Sequence, residues 1–183
     1  KFAQKHAQVS IELVASEDTL DLLSQQIDVA IRISNDVASG LIAKRLGFCH
    51  SVLCATPQYL QQHPTPQQPE DLLQHACLGH RHVGRDSWPL RMADGQYQRV
   101  PIQVKYCSND ATVLLAMTLQ HAGICMLPTN LAQPALQDGR LQQVLPDFPP
   151  EALGIHAVYA SRQHMPRLTR HFLDYLGECF EVG

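Results

Sequence analysis

The stretch CSNDATVLLAMTLQHAGICMLP, from Cys107 to Pro128, limits the possible folds more than any other part of the chain. It reads as the end of one strand (QVKYC), a helix opened by Ser-Asn-Asp, and a second strand (ICMLP). Ser108, Asn109 or Asp110 can act as N-cap, accepting from the free amides of the first turn. Gly123 is expected to stop the helix in the left-handed conformation. That capping role needs no ligand. Yet a helix start at the carboxyl end of parallel strands is also where α/β proteins hold small anions, so the triplet is a candidate site too.

The rest of the chain follows the same alternation. VSIELVA (Val9 to Ala15) alternates as a strand, EDTLDLLSQQ reads as a short helix, and IDVAIRIS (Ile27 to Ser34) reads as an apolar strand covered on both faces, a strand-helix-strand spacing that marks a parallel crossover. LIAKRLG and HSVLCATP read as two further strands, with PQYLQQH as a helix begun by Pro57. KFAQKHAQ reads as the end of a helix. After the proline-rich HPTPQQPEDLLQH come a strand, ACLGH, and a hairpin turned at Asp94-Gly95. A helix from about Asn130 to Leu136, a strand near GRLQQVL and the strand GIHAVYAS complete the order. A final helix from Pro166 is expected to bury Leu168, Phe172, Tyr175, Leu176 and Cys179. The expected fold class is α/β, with two doubly wound lobes and a cleft between them. Lobe I comprises residues 1–66 and 156–183, and lobe II residues 67–155.

Several functions are disfavoured. A net charge of −3 without a basic cluster argues against a nucleic-acid surface on this segment. No apolar run approaches the ~20 residues of a membrane helix. The six cysteines show no CxxC pairing and read as free thiols of a reducing cytoplasm. There is no GxSxG and no glycine-rich phosphate loop, so nothing calls for an enzyme or a cofactor. Cys77, His80 and His82 have a spacing that suits zinc, but ten histidines produce such groups by chance. A likelier use of His80 and Arg81 is to line a cleft after a strand end, with donors for a carboxylate. Arg32, near the carboxyl end of DVAI, either forms a surface ion pair or holds an acid.

Taken together, LDLLSQQIDVAIRIS, LIAKRLG, LCATPQYLQQHPTPQQPEDLLQHACL, CSNDATVLLAMTLQHAGICMLP, GRLQQVLPDF and IHAVYASRQHMPRLTRHFLDYL resemble, in order, the effector-binding domain of LysR-type transcriptional regulators. The resemblance implies a fold similar to type 2 periplasmic binding proteins, crossed twice by the chain, with a small-molecule effector in the cleft. It carries the effector-binding positions onto Ser16, Arg32, Ile33, His80, Arg81, His82, Ser108, Asn109, Asp110, Tyr159 and Ser161. It also implies a cytoplasmic homodimer or homotetramer that meets operator DNA only through an N-terminal winged helix-turn-helix not in this chain. The family domain begins a strand and a turn before Lys1, so the first lobe is expected to lack its N-terminal strand. Two rival readings are a transporter-linked solute-binding protein, with the same fold, and a metal-dependent enzyme using Cys77, His80 and His82.

Overall fold

The computed structural model describes residues 1–16, 21–36, 40–160 and 165–181. They form two compact units, one of residues 1–48 and 153–183 and the other of residues 49–152. The chain opens unit 1 with α1 (Phe2–Lys5), β1 (Ala30–Ile33) and β2 (Ile42–Cys49). Unit 2 follows with β3 (Ser51–Ala55), α2 (Pro57–Gln62), a 3-10 helix (Pro69–Gln74), β4 (Cys77–His80), β5 (Ser87–Arg91), β6 (Tyr97–Pro101) and β7 (Val104–Ser108). It continues through α3 (Ala111–Leu119), β8 (Ile124–Pro128), α4 (Thr129–Gln137) and β9 (Gln142–Gln143). The chain then returns to unit 1 as β10 (Leu153–Tyr159) and α5 (Arg167–Glu181).

Unit 1 is built on a three-stranded sheet in the order β1-β10-β2. β10 runs antiparallel to β1, with Ala30 opposite Val158 and Ile33 opposite Ile155. Leu46, Ala157, Tyr159 and Leu173 form its core, joined by partly buried Ile42, Met165 and Leu176. Phe2 is also buried and packs on Phe172 at 5.1 Å and Tyr175 at 5.4 Å between ring centroids.

Four expectations fail in this unit. Val9–Ala15 is not a strand, and Ile11, Leu13 and Val14 are exposed. An alternating pattern becomes a strand only where a ladder partner fixes it, and among the described residues β1 is paired with β10 alone. The expected parallel crossover is therefore absent there, and Ile31 and Ile33 stand 47% and 48% exposed rather than covered on both faces. The described part of EDTLDLLSQQ, residues 21–26, is turn rather than helix. It is closed by Ile27 N–H on Leu22 O at 2.9 Å, with Gln26 at φ +55°. In α5 the anchor is Leu173, while Leu168 and Cys179 are exposed.

Unit 2 holds a five-stranded sheet in the order β7-β4-β8-β3-β9. β4 is parallel to both β7 and β8, so β7, α3 and β8 form a parallel crossover. β3 is antiparallel to β8 and β9. Successive residues divide between two cores, as the two-residue period of a strand demands. Leu53, Cys77, Ile124 and Met126 join Tyr59, Leu72, Trp88, Leu90 and Val144. Cys54, Leu78, Cys125 and Leu127 join Leu114, Ala132, Ala135 and Leu141 beneath α3 and α4. This unit begins at Cys49, and its first strand β3 is laddered to β8.

The local punctuation differs in two places. The hairpin turn has three residues, 93–95, closed by Met92 N–H on Gln96 O at 2.8 Å, with Gly95 at φ +82°. Gly95 thus supplies the left-handed residue of a longer loop, not half of a two-residue turn. Past α3 it is His121, at φ +62°, that takes the left-handed position. Gly123 has another duty: with φ +150°, a Cβ there would drive into the Ala76 carbonyl, which accepts from Ile124 N–H at 2.9 Å.

Candidate functional site

The carboxyl ends of β4 and β7 lie side by side, and their parallel register sets His80 opposite Ser108. Arg81 N–H donates to Ser108 O at 2.8 Å, extending that pairing one residue further. Beyond it the chain turns sharply, with Gly84 N–H on His80 O at 3.1 Å and His82 N–H on His80 Nδ1 at 3.3 Å. The accepting Nδ1 leaves the His80 proton on Nε2 when the ring is neutral. Gly79 has no room for a side chain, because a Cβ would meet Arg85 O at 2.6 Å. Arg81 and His82 are exposed within this turn.

Asp110 is the residue of the triplet that caps α3. Its Oδ1 accepts from Thr112 N–H at 2.6 Å, from Val113 N–H at 3.3 Å and from the Thr112 hydroxyl. The Thr112 hydroxyl and these amides hold the carboxyl below its ordinary value, with the nearby His80 ring adding a smaller pull. Ser108 Oγ accepts from Asp110 N–H at 3.1 Å, which fixes the turn into the helix. Asn109 is exposed between them. First-turn amides of α3 are thus taken by the chain's own carboxylate. An anion here would have to rest on side chains (Ser108, Asn109, Arg81) rather than on the helix end.

The remaining expected residues belong to unit 1. Arg32 and Ile33 close β1, and Arg32 faces His156 across the ladder. Directly opposed residues point to the same side of a sheet, so this imidazole accompanies the guanidinium. Sequence reading missed His156, whose buried Nδ1 has no hydrogen-bond partner among the described residues. Its one signal was a polar residue amid the apolar GIHAVY. Tyr159 lies at the other end of β10, inside the core. There it lines a cavity of about 210 Å³ with Lys44, Met165, Arg170, Leu173 and Asp174. Ser16 is exposed, and Ser161 lies outside the described residues.

The structure separates the zinc-spaced trio. Cys77 is fully buried at the start of β4, its thiol donating to Leu72 O at 3.6 Å and pushed up by burial to about 12. His80 ends that strand and His82 lies just beyond it. Among the described residues no three His, Cys, Asp or Glu side chains are placed to share a metal. No described helix is long and apolar enough to cross a membrane. A groove of about 610 Å³ lies at the opposite end of the unit 2 sheet, beside Thr56, Gln58, His121 and Arg140, and includes none of the expected site residues.

Comparison with known proteins agrees with this architecture. A family model described as the LysR substrate binding domain matches residues 1–181. The probable HTH-type transcriptional regulator LtrA of Klebsiella pneumoniae is 35% identical over 97% of this chain and 58% of its own length. The solved regulatory domain of CrgA from Neisseria meningitidis is 29% identical with a TM-score of 0.82, covering all of this chain and 88% of that one. Full-length AphB of Vibrio cholerae, a virulence activator, is 29% identical with a TM-score of 0.83 over 98% of this chain and 61% of that one. The chain spans 58–60% of the length of curated relatives such as LtrA and CrgA. These relatives are transcriptional regulators rather than transport proteins, which sets the solute-carrier reading aside. By family match, identity and fold, the chain belongs to the LysR substrate-binding-domain family and has the α/β fold of LysR regulatory domains.

Proposed function

We propose that this chain senses a small effector for a LysR-type transcriptional regulator, without catalysing a reaction on it. The observation that carries this is the family match across residues 1–181, shared with relatives named as HTH-type regulators. The proposed ligand is a small carboxylate. His80, Arg81, His82, Ser108 and Asn109 support that choice by gathering donors at two adjacent strand ends in unit 2, and Arg32, with His156 opposite it, offers a second group of donors in unit 1. The whole regulator would work in the cytoplasm as a homodimer or homotetramer, reaching operator DNA through a separate N-terminal winged helix-turn-helix. An effector can move such an assembly only if it binds one arrangement more tightly than another.

Thermal unfolding against a panel of small carboxylates, amino acids and aromatic acids tests the proposal. A true effector at about 100 times its dissociation constant stabilises the fold by about 2.7 kcal/mol. The double variant Ser108→Ala, Asn109→Ala is expected to lose most of that gain. A compound that stabilises both proteins equally would move the site away from the β4–β7 rim. A panel in which no acid stabilises the wild type would overturn the carboxylate assignment.

A further inference from the structure

His63 caps the end of α2, and His75 closes the 3-10 helix. Between them a proline-rich segment carries the chain towards β4. Tyr59, buried in unit 2, ties both ends together. Its ring stacks on His63 with centroids 4.2 Å apart and planes 17° from parallel, and its carbonyl accepts from His63 Nδ1 at 3.0 Å. Its hydroxyl oxygen accepts from Ala76 N–H at 3.1 Å and lies 3.2 Å from His75 Nδ1. With His75 neutral and its proton on Nε2, the phenol gives its one proton to His75 Nδ1 while its oxygen accepts from Ala76 N–H, so both groups are satisfied.

His75 is only 4% exposed, and its ring lies 6.2 Å from that of His63. A proton on Nδ1 would reverse the contact with Tyr59, displace the phenol's own proton from its acceptor, and create a cation that burial opposes and His63 repels. We propose that Tyr59, His63 and His75 form an acid-sensitive latch on the crossing between α2 and β4, closed while His75 is neutral and released when it is protonated. The groups facing the ring act in both directions. Burial and then His63 hold its pKa below 6.5, while Asp71 on the 3-10 helix and the Pro64 carbonyl pull the other way. The Cys77 thiol on β4, raised to about 12, stays neutral.

The sign follows from linkage. A histidine whose folded pKa is depressed binds its proton more readily once released, so the latch is fully stabilising above 6.5. It weakens as pH falls from there through the lower folded value. Because β4 starts directly after Ala76 and ends at His80, protons become a second input to the strand that carries the candidate rim.

Amide hydrogen exchange on the full chain, corrected for the intrinsic pH dependence of exchange, reads this directly. Between about pH 7.5 and about pH 5.5, where histidine changes charge, peptides covering residues 63–76 should lose protection while the β5–β6 hairpin keeps its own. His75→Gln should abolish the pH dependence, and His63→Gln, which leaves the buried Tyr59–His75 contact in place, should shrink it. Unchanged protection in the wild type, loss spread evenly over the chain, or an undiminished response in His75→Gln would overturn the latch. Should His75→Gln fail to fold, an undiminished response in His63→Gln would do the same.

Discussion

The two units contrast in how they close their sheets. In unit 2 every second residue of β3, β4 and β8 enters one core and the residues between enter another, so Leu53, Cys54, Leu78, Ile124 and Leu127 are all within 1% of complete burial. Unit 1 has one small core cluster, and its edge strand β1 leaves two isoleucines half exposed. The apolar residues of Val9–Ala15 are equally uncovered. Similar apolar alternation thus yields a double-sided sheet where ladder partners flank the central strand on both sides, and an open edge where they do not. Burial in a sheet is a property of the pairing as much as of the residues.

Core truncation should break the comparison most visibly. Leu78→Ala, in a central strand with cores on both faces, is expected to cost about 2–5 kcal/mol. Leu173→Ala in unit 1 should fall near about 2 kcal/mol, since a helix on a small cluster can settle into the space vacated. Urea midpoints would measure both, and equal losses would mean that unit 1 is packed as firmly as unit 2. A smaller effect is expected at the start of α3. Asn caps helices about as well as Asp, so Asp110→Asn isolates the charge. The advantage of the native carboxylate should be present above its ordinary value of 3.8 and vanish as pH falls through the lower folded value. Unfolding midpoints at about pH 7 and about pH 3 would show the gap closing, and a gap that persists in acid would assign the effect to something other than ionisation. Least consequential should be Ile31→Thr on the open edge, within about 0.5 kcal/mol. A loss of core size there would show that something covers β1.

The legible parts of the sequence were those whose structure is decided within a few residues. Thr56-Pro57 opens α2, with Thr56 Oγ1 accepting from Tyr59 N–H at 3.2 Å, and Asp110 caps α3 as its position in the triplet suggests. The hairpin and the final helix were readable for the same reason. The failures depend on distant partners. Val9–Ala15 carries a strand pattern but has no ladder, and Gly123 is required by the Ala76 carbonyl, 47 positions away in sequence from nothing a local pattern could reveal about their meeting. Much of the candidate rim was legible, because strand ends and caps announce themselves. His156 was not, since its relation to Arg32 exists only through the β1–β10 register. Nor was the Tyr59–His63–His75 cluster, which the proline-rich segment splits in sequence and folding reunites.

The place of β10 has a consequence for biosynthesis. It lies between β1 and β2, yet it leaves the ribosome only after the whole of unit 2. At about 5–20 residues per second, the interval between completing β1 and beginning β10 is about 6–24 s. During that time unit 2 has every strand of its own sheet, while the early strands of unit 1 wait with their shared neighbour unsynthesised. Assembly therefore proceeds from the middle of this stretch outward, and nascent unit 1 is the part of it that most needs shielding by chaperones.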